Sequence, residues 1–119
     1  TVAKEPGNSG NSQYCIARIA AYLSDHYAGE VPIERLAQIA CMGTTKLKSS
    51  FKKVYGCTIT EYIQQRRMSQ AEYLLAHTDL QIGQIAQTIG YSTSSRFAEL
   101  FRRSTGLLPL EYRKMAKRK

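Results

Sequence analysis

The feature that most constrains this chain is an internal repeat. "IERLAQIACMG", starting at Ile33, overlays "IGQIAQTIGYS", starting at Ile82, so that Ile33, Leu36, Ala37, Gln38 and Ala40 fall on Ile82, Ile85, Ala86, Gln87 and Ile89. One extra residue then enters the second copy, and the offset becomes fifty. From there Leu47, Phe51, Lys52, Lys53, Gly56, Glu61 and Tyr62 fall on Phe97, Phe101, Arg102, Arg103, Gly106, Glu111 and Tyr112. Two unrelated amphipathic helices can share apolar spacing. A basic pair, a terminal Gly and a Glu-Tyr all recurring at one offset mark a duplicated unit.

Within each copy the apolar spacing predicts a short helix of about eight residues, a tight turn, then a helix of about eleven. Small residues on the first helix (Ala37 and Ala40; Ala86) let the second pack closely across it. Gly90 suits the positive φ that a sharp interhelical turn demands. Cys41 stands at that place in the first copy, which predicts a different or mildly strained turn there. Ser92 or Thr93 can cap the second copy's long helix, and Gly43 or Thr44 the first copy's; Gly56 and Gly106 end the long helices. Two helices joined by such a turn, the second keeping a polar face outward, are a helix-turn-helix.

Helical periodicity also fills the rest of the chain. Ile16, Ile19, Ala20 and Leu23 predict a first helix near residues 13 to 27, closed by Gly29 and Pro32. Ile63, Arg67, Met68, Ala71, Leu74 and Leu75 predict one continuous helix between the copies, with Thr60 as its cap. The fold class is therefore all-α: two helix-turn-helix subdomains, about residues 13–59 and 78–114, joined by a linking helix over about 60–77. Residues 1–12, rich in Gly, Asn and Ser, read as a linker, and residues 115–119 as a basic tail.

Charge narrows the partners. The chain of 119 residues carries a net charge of +8. Residues 1 to 45 hold three basic and four acidic side chains, whereas residues 46 to 119 hold fourteen basic and five acidic. Positive charge gathered on the repeat points to a polyanion, with nucleic acid ahead of an anionic membrane. No run approaches the roughly 18 apolar residues of a membrane span, and no secretion signal opens the chain. Three cysteines, Cys15, Cys41 and Cys57, form neither a close pair nor a zinc set, and read as buried or semi-buried free thiols in a reducing cytoplasm.

Residues 33 to 114 resemble the DNA-binding domain of the AraC/XylS family of bacterial transcription regulators. The resemblance is densest from Arg67 to Pro109. It is carried by Arg67-Met68 with Ala71 and Leu75, Ile85-Ala86, Gly90-Tyr91, Phe97, Phe101, Gly106, Pro109 and Tyr112-Arg113. Cys41 departs from the family's Gly in the first turn, and Ile59 from a Pro that the second copy keeps. The resemblance implies about seven helices, with two helix-turn-helix units bridged by the central helix. The length of that helix, roughly 25 Å against a groove repeat of about 34 Å, predicts that the units meet adjacent major-groove segments as the DNA bends. It also implies transcription regulation, usually activation, through contact with RNA polymerase, and a separate domain that binds an effector ligand or dimerises. "MGTTKLKSSFKKVYG" looks most like the members that control iron-siderophore genes.

In the family, the early turns of each second helix read bases. Carried over, these are Thr45, Lys46, Lys48 and Ser49 in the first copy, and Ser94, Ser95, Arg96 and Glu99 in the second. The chemistry suits a major groove: Arg96 can bond guanine O6 and N7, Lys48 can approach guanine, and the serines can serve either partner. Glu99 can accept from a cytosine amine, but it also lies three residues from Arg96 and four from Arg103, the spacing of intrahelical ion pairs. Lys52, Lys53, Arg102 and Arg103 come a turn or two later and suit phosphate, which sets affinity and register. Helix starts near Ile33 and Ile82 can add backbone N–H donors.

Rival readings are weaker. Phe51, Phe97, Phe101, Tyr62 and Tyr112 read as core. His26 and His77 each sit near a helix end, where a histidine caps or faces solvent. No ligand cluster or nucleophile-base spacing accompanies them, so no enzyme, metal or cofactor is expected. A protein-binding module would leave the repeated basic pairs unexplained. Membrane attachment through the tail fails, because Met115 and Ala116 make no apolar face.

Overall fold

The computed structural model describes residues 9 to 117. Among these residues it contains seven α-helices and no strand. They are α1 (Ser9–His26), α2 (Ile33–Ala40), α3 (Thr44–Tyr55), α4 (Ile59–His77), α5 (Ile82–Thr88), α6 (Ser94–Thr105) and α7 (Pro109–Lys117). α1 begins four residues ahead of the expected start, taking in part of the stretch read as linker. Residues 1 to 8 of that stretch lie outside the described residues, as do 118 and 119 of the basic tail. Residues 115 to 117 of the tail form the last turn of α7.

The chain divides into two compact units. The first holds α1, α2, α3 and α4 as far as Ile63; the second holds Tyr27–Gly29, the rest of α4 from Gln64, and α5 to α7. In the first, Ile16, Ile19 and Leu23 of α1 pack with Leu36 of α2, Leu47 and Phe51 of α3, and Ile59 of α4. In the second, Met68, Ala71, Leu74 and Leu75 of α4 pack with Ile85, Ala86, Ile89, Phe97, Leu100 and Phe101. Each phenylalanine of this set is fully buried. Tyr62 and Tyr112, expected in the core, are half-buried and lie against its rim.

The duplication reaches further than the helix-turn-helix pairs. "AAYLSDH" at 20–26, ending α1, recurs as "AEYLLAH" at 71–77, ending α4. Both stretches close alike: Tyr22 stacks on His26 with centroids 4.0 Å apart, and Tyr73 leans on His77 at 4.5 Å. α4 therefore plays two parts. Its first turns do for α3 what α7 does for α6, and its last turns do for α5 and α6 what α1 does for α2 and α3.

The two interhelical turns begin with the same backbone motif. Cys41 N–H donates to Gln38 O (3.2 Å) and Met42 N–H to Ala37 O (3.1 Å); Gly90 N–H donates to Gln87 O (3.2 Å) and Tyr91 N–H to Ala86 O (2.8 Å). This is the paired closure of a Schellman turn, which places its pivot residue in the left-handed region. Gly90 does so at φ 108, and Cys41 does so at φ 57 and ψ 44. The first turn thus keeps this closure and concentrates its strain on one exposed cysteine. Gly90 has a second reason to lack a side chain, since a Cβ there would stand 2.6 Å from Ala28 O.

The cap of α4 corrects an expectation. Thr58, rather than Thr60, closes its start: Thr58 N–H donates to Glu61 Oε1 (2.8 Å) and Glu61 N–H donates to Thr58 Oγ1 (3.0 Å). That reciprocal pair is a capping box, and "TITE" carries its Thr-x-x-Glu spacing. At 19 residues α4 is about 28 Å long.

Candidate nucleic-acid interface

α3 and α6 are built alike, with 12 residues each. α3 turns Leu47 and Phe51 into its core, and α6 turns Phe97, Leu100 and Phe101 into its own. This anchoring fixes which side chains face outward. Thr45, Lys46, Lys48, Ser49, Lys52 and Lys53 are all exposed on α3; Ser94, Ser95, Arg96, Glu99, Arg102 and Arg103 are all exposed on α6. Every side chain singled out for base or phosphate contact is thus available to a partner within its own unit.

The starts of the two helices differ. Thr93 Oγ1 accepts from Arg96 N–H at 3.1 Å, capping α6 directly ahead of Ser94 and Ser95. Gly43 precedes α3 and offers no side-chain cap. At the far ends Gly56 N–H donates to Lys52 O and Gly106 N–H to Arg102 O, both at 2.7 Å. Lys52, Lys53, Arg102 and Arg103 lie in these last turns, where positive charge also complements the helix dipole. They have a structural use besides any contact with phosphate.

Electrostatically the helices diverge. α3 carries four lysines and no acid. Among the described residues no acidic side chain forms an ion pair with them. α6 carries three arginines and Glu99, which bridges two of them: Arg96 Nη1 donates to Oε1 at 3.4 Å and Arg103 Nη2 to Oε2 at 3.2 Å. The three side chains are 55% to 68% exposed, so these bonds are weak and readily exchanged. Ser49, at the position matching Glu99, donates its hydroxyl to Lys46 O at 3.2 Å.

Behind α6 lies a contact that local sequence spacing does not reveal. Arg67 on α4 donates from Nε to Tyr27 O (2.8 Å) and from Nη2 to Gly29 O (3.5 Å), and its guanidinium lies 4.8 Å over the ring of Tyr91. One side chain thereby ties the segment 27–29 and the turn ahead of α6 to α4. The carbonyls it bonds stand about forty residues away along the chain, beyond the reach of periodicity. Nearby, Arg113 Nε donates to Leu75 O at 3.1 Å, and Lys117 pairs with Asp79. The tail lysine thus has an intramolecular partner. Burial pushes the Tyr112 phenol up, with Glu72 adding to the effect.

Among the described residues no cluster of His, Cys, Asp or Glu could hold a metal ion, and no helix is long and apolar enough to cross a membrane. Cys15, Cys41 and Cys57 are free thiols; Cys15 and Cys57 are half-buried as expected, whereas Cys41 is exposed, because it is the pivot of the turn that closes α2.

Known proteins share this architecture. A family model described as a helix-turn-helix domain matches residues 36–115. The bifunctional transcriptional activator/DNA repair enzyme AdaA of Bacillus subtilis is 34% identical over 99 residues, covering 83% of this chain and 47% of AdaA. The chain spans between about a third and a half of the length of the curated relatives it matches, at 47%, 35% and 37% for three of them. An AraC-type regulator from Chromobacterium violaceum superposes with a TM-score of 0.81 at 23% identity, over 92% of this chain and 96% of that one. The DNA-binding domain of AdpA, solved with a target DNA, superposes with a TM-score of 0.80 at 24% identity, over 87% and 93%. At such identities the two structures speak for the fold, while the family match covers most of the chain. The chain belongs to the helix-turn-helix DNA-binding domains of AraC-type transcription regulators.

Proposed function

We propose that this chain is the promoter-reading part of a bacterial transcription activator, with α3 and α6 entering adjacent major-groove segments on one side of B-DNA. The observation that carries the reading is the matched pair of exposed helix faces, each presenting polar residues early and a basic pair late. On this reading Thr45, Lys46, Lys48, Ser49, Ser94, Ser95, Arg96 and Glu99 meet base edges, while Lys52, Lys53, Arg102 and Arg103 meet phosphates. On this reading the two heads serve groove segments about 34 Å apart, and bending of the DNA helps both to engage.

Activation is supported by the name of AdaA, and duplex binding by the target DNA in the AdpA structure. The role is binding rather than catalysis, the partner beyond DNA is RNA polymerase, and the effector ligand belongs to a separate domain. The setting is the cytoplasm, where promoters are. The stretch "MGTTKLKSSFKKVYG" supports the regulators of iron-siderophore genes as the subgroup. The test is a salt series on duplex binding. Lys52→Ala and Arg102→Ala should each weaken binding to every duplex and flatten the log–log salt slope by about one. Arg96→Ala should instead relax preference at one base pair, by about 1–3 kcal/mol. Unchanged affinity in all three variants would refute the assignment.

A further inference from the structure

Of the matched positions at which the two helices differ, one places an acid on α6 where α3 has none, and that difference assigns Glu99 a task of its own. At the offset of fifty, Lys46, Ser49 and Lys53 on α3 correspond to Arg96, Glu99 and Arg103 on α6. In α6 the middle position is a carboxylate held by both flanking guanidinium groups. In α3 it is a hydroxyl turned back to Lys46 O, leaving Lys46 and Lys53 without an acid between them. We propose that Glu99 is a specificity-determining residue which lowers non-specific binding through α6, while α3, with no carboxylate at the matched position, keeps its sequence-independent attraction beside its base contacts. This rests on the DNA-binding reading above.

The physical argument starts from competition. A phosphate approaching Arg96 or Arg103 must displace Glu99 Oε1 or Oε2 and then sit beside a freed carboxylate. Phosphates are present on every duplex, so this penalty falls on all sequences alike. It lifts only where a base edge gives the carboxylate a donor; in the major groove these are the cytosine N4 and adenine N6 amines, of which cytosine N4 is the usual carboxylate partner. There Glu99 accepts from the base, and Arg96 is released to a neighbouring guanine. Because all three side chains are more than half exposed, the intrahelical bonds are weak enough to be exchanged on encounter. Their use as a helix staple is correspondingly small. The same exposure means that substituting Glu99 or Ser49 disturbs no packing.

The matched positions supply a reciprocal experiment. Binding of the whole chain to a long duplex of mixed sequence, and to a site selected by the unaltered chain from a random pool, would be measured over a salt series for Glu99→Gln, Ser49→Glu and Lys52→Ala. Glu99→Gln removes one negative charge from the contact face. It should bind the mixed duplex about three- to tenfold more tightly near 0.1 M salt and steepen the salt slope by about one. Its preference for the selected site should narrow. Ser49→Glu should do the reverse on the mixed duplex, by placing a carboxylate three residues after Lys46 and four before Lys53. If Glu99→Gln leaves both the mixed-duplex affinity and its salt slope unchanged while Lys52→Ala weakens binding, the proposal is overturned and the DNA-binding reading stands. If Lys52→Ala is also without effect, both are overturned.

Discussion

The ring of Tyr62 meets that of Phe51 edge-on, with centroids 5.4 Å apart and planes at 84°. Fifty residues later Tyr112 meets Phe101 at 5.4 Å and 83°. Each pair ties the second helix of a helix-turn-helix to the helix that follows it, and the fully buried phenylalanine is the inner partner both times. Replacing Phe51 or Phe101 with Ala should each cost about 3–5 kcal/mol, through lost burial and the cavity left behind. Urea unfolding checks this, and a cost below about 1 kcal/mol at either site would deny that site its core role.

The turns give opposite expectations for opposite substitutions. Gly90→Ala forces a Cβ to within 2.6 Å of Ala28 O at φ 108, and should cost on the order of 3 kcal/mol. Cys41→Gly removes a left-handed non-glycine residue from an exposed position, and should gain about 0.5–1 kcal/mol after the entropy of glycine is counted. Thermal unfolding of the two variants should therefore move in opposite directions. Cys41→Gly should leave duplex binding intact.

The α4 capping box carries a pH dependence. The Thr58 backbone N–H holds the Glu61 carboxyl below its ordinary range, with the Thr58 hydroxyl and Lys52 acting the same way and desolvation opposing them. A carboxyl that loses its proton more readily when folded contributes stability that is complete above its unfolded pKa. That contribution fades as pH falls through the lowered folded value. The stability difference between the unaltered chain and Glu61→Gln should thus be flat near neutrality and shrink in acid. A difference that grew as pH fell would contradict the capping role.

Arg67 should not tolerate Lys. A guanidinium can donate to Tyr27 O and Gly29 O at once while lying over Tyr91, whereas an ammonium is a point charge without that plane. Arg67→Lys should destabilise the chain by about 1–3 kcal/mol, as expected when buried or part-buried acceptors lose their donor. Hydrogen exchange should locate the loosening at the turn ahead of α6, around Tyr91.

The order of helices, both cores and the outward faces of α3 and α6 were legible because helical periodicity is local and the repeat doubles its signal. Phe51 and Phe101 declared themselves core by their spacing, and Lys52, Lys53, Arg102 and Arg103 stood out by recurring at one offset. The capping box is also written in "TITE", where Thr58 caps the helix and Thr60 stands inside its first turn. Three features needed the fold itself. That Cys41 takes up the left-handed region depends on the whole Schellman closure, since propensity alone argues against it. The double role of α4 rests on "AAYLSDH" and "AEYLLAH" at an offset of fifty-one, two more than the forty-nine that relates Ile33 to Ile82. Arg67 bonds carbonyls some forty residues away, and only chain topology brings them within reach.

The most direct measurement is hydroxyl-radical footprinting of the chain on a duplex it selects from a random pool. The account predicts two protected segments on one face of the helix, their centres one helical turn or about 10–10.5 base pairs apart. In Arg102→Ala the segment contacted by α6 should weaken first. A single protected segment unaffected by Arg102→Ala, or two segments on opposite faces of the duplex, would contradict it.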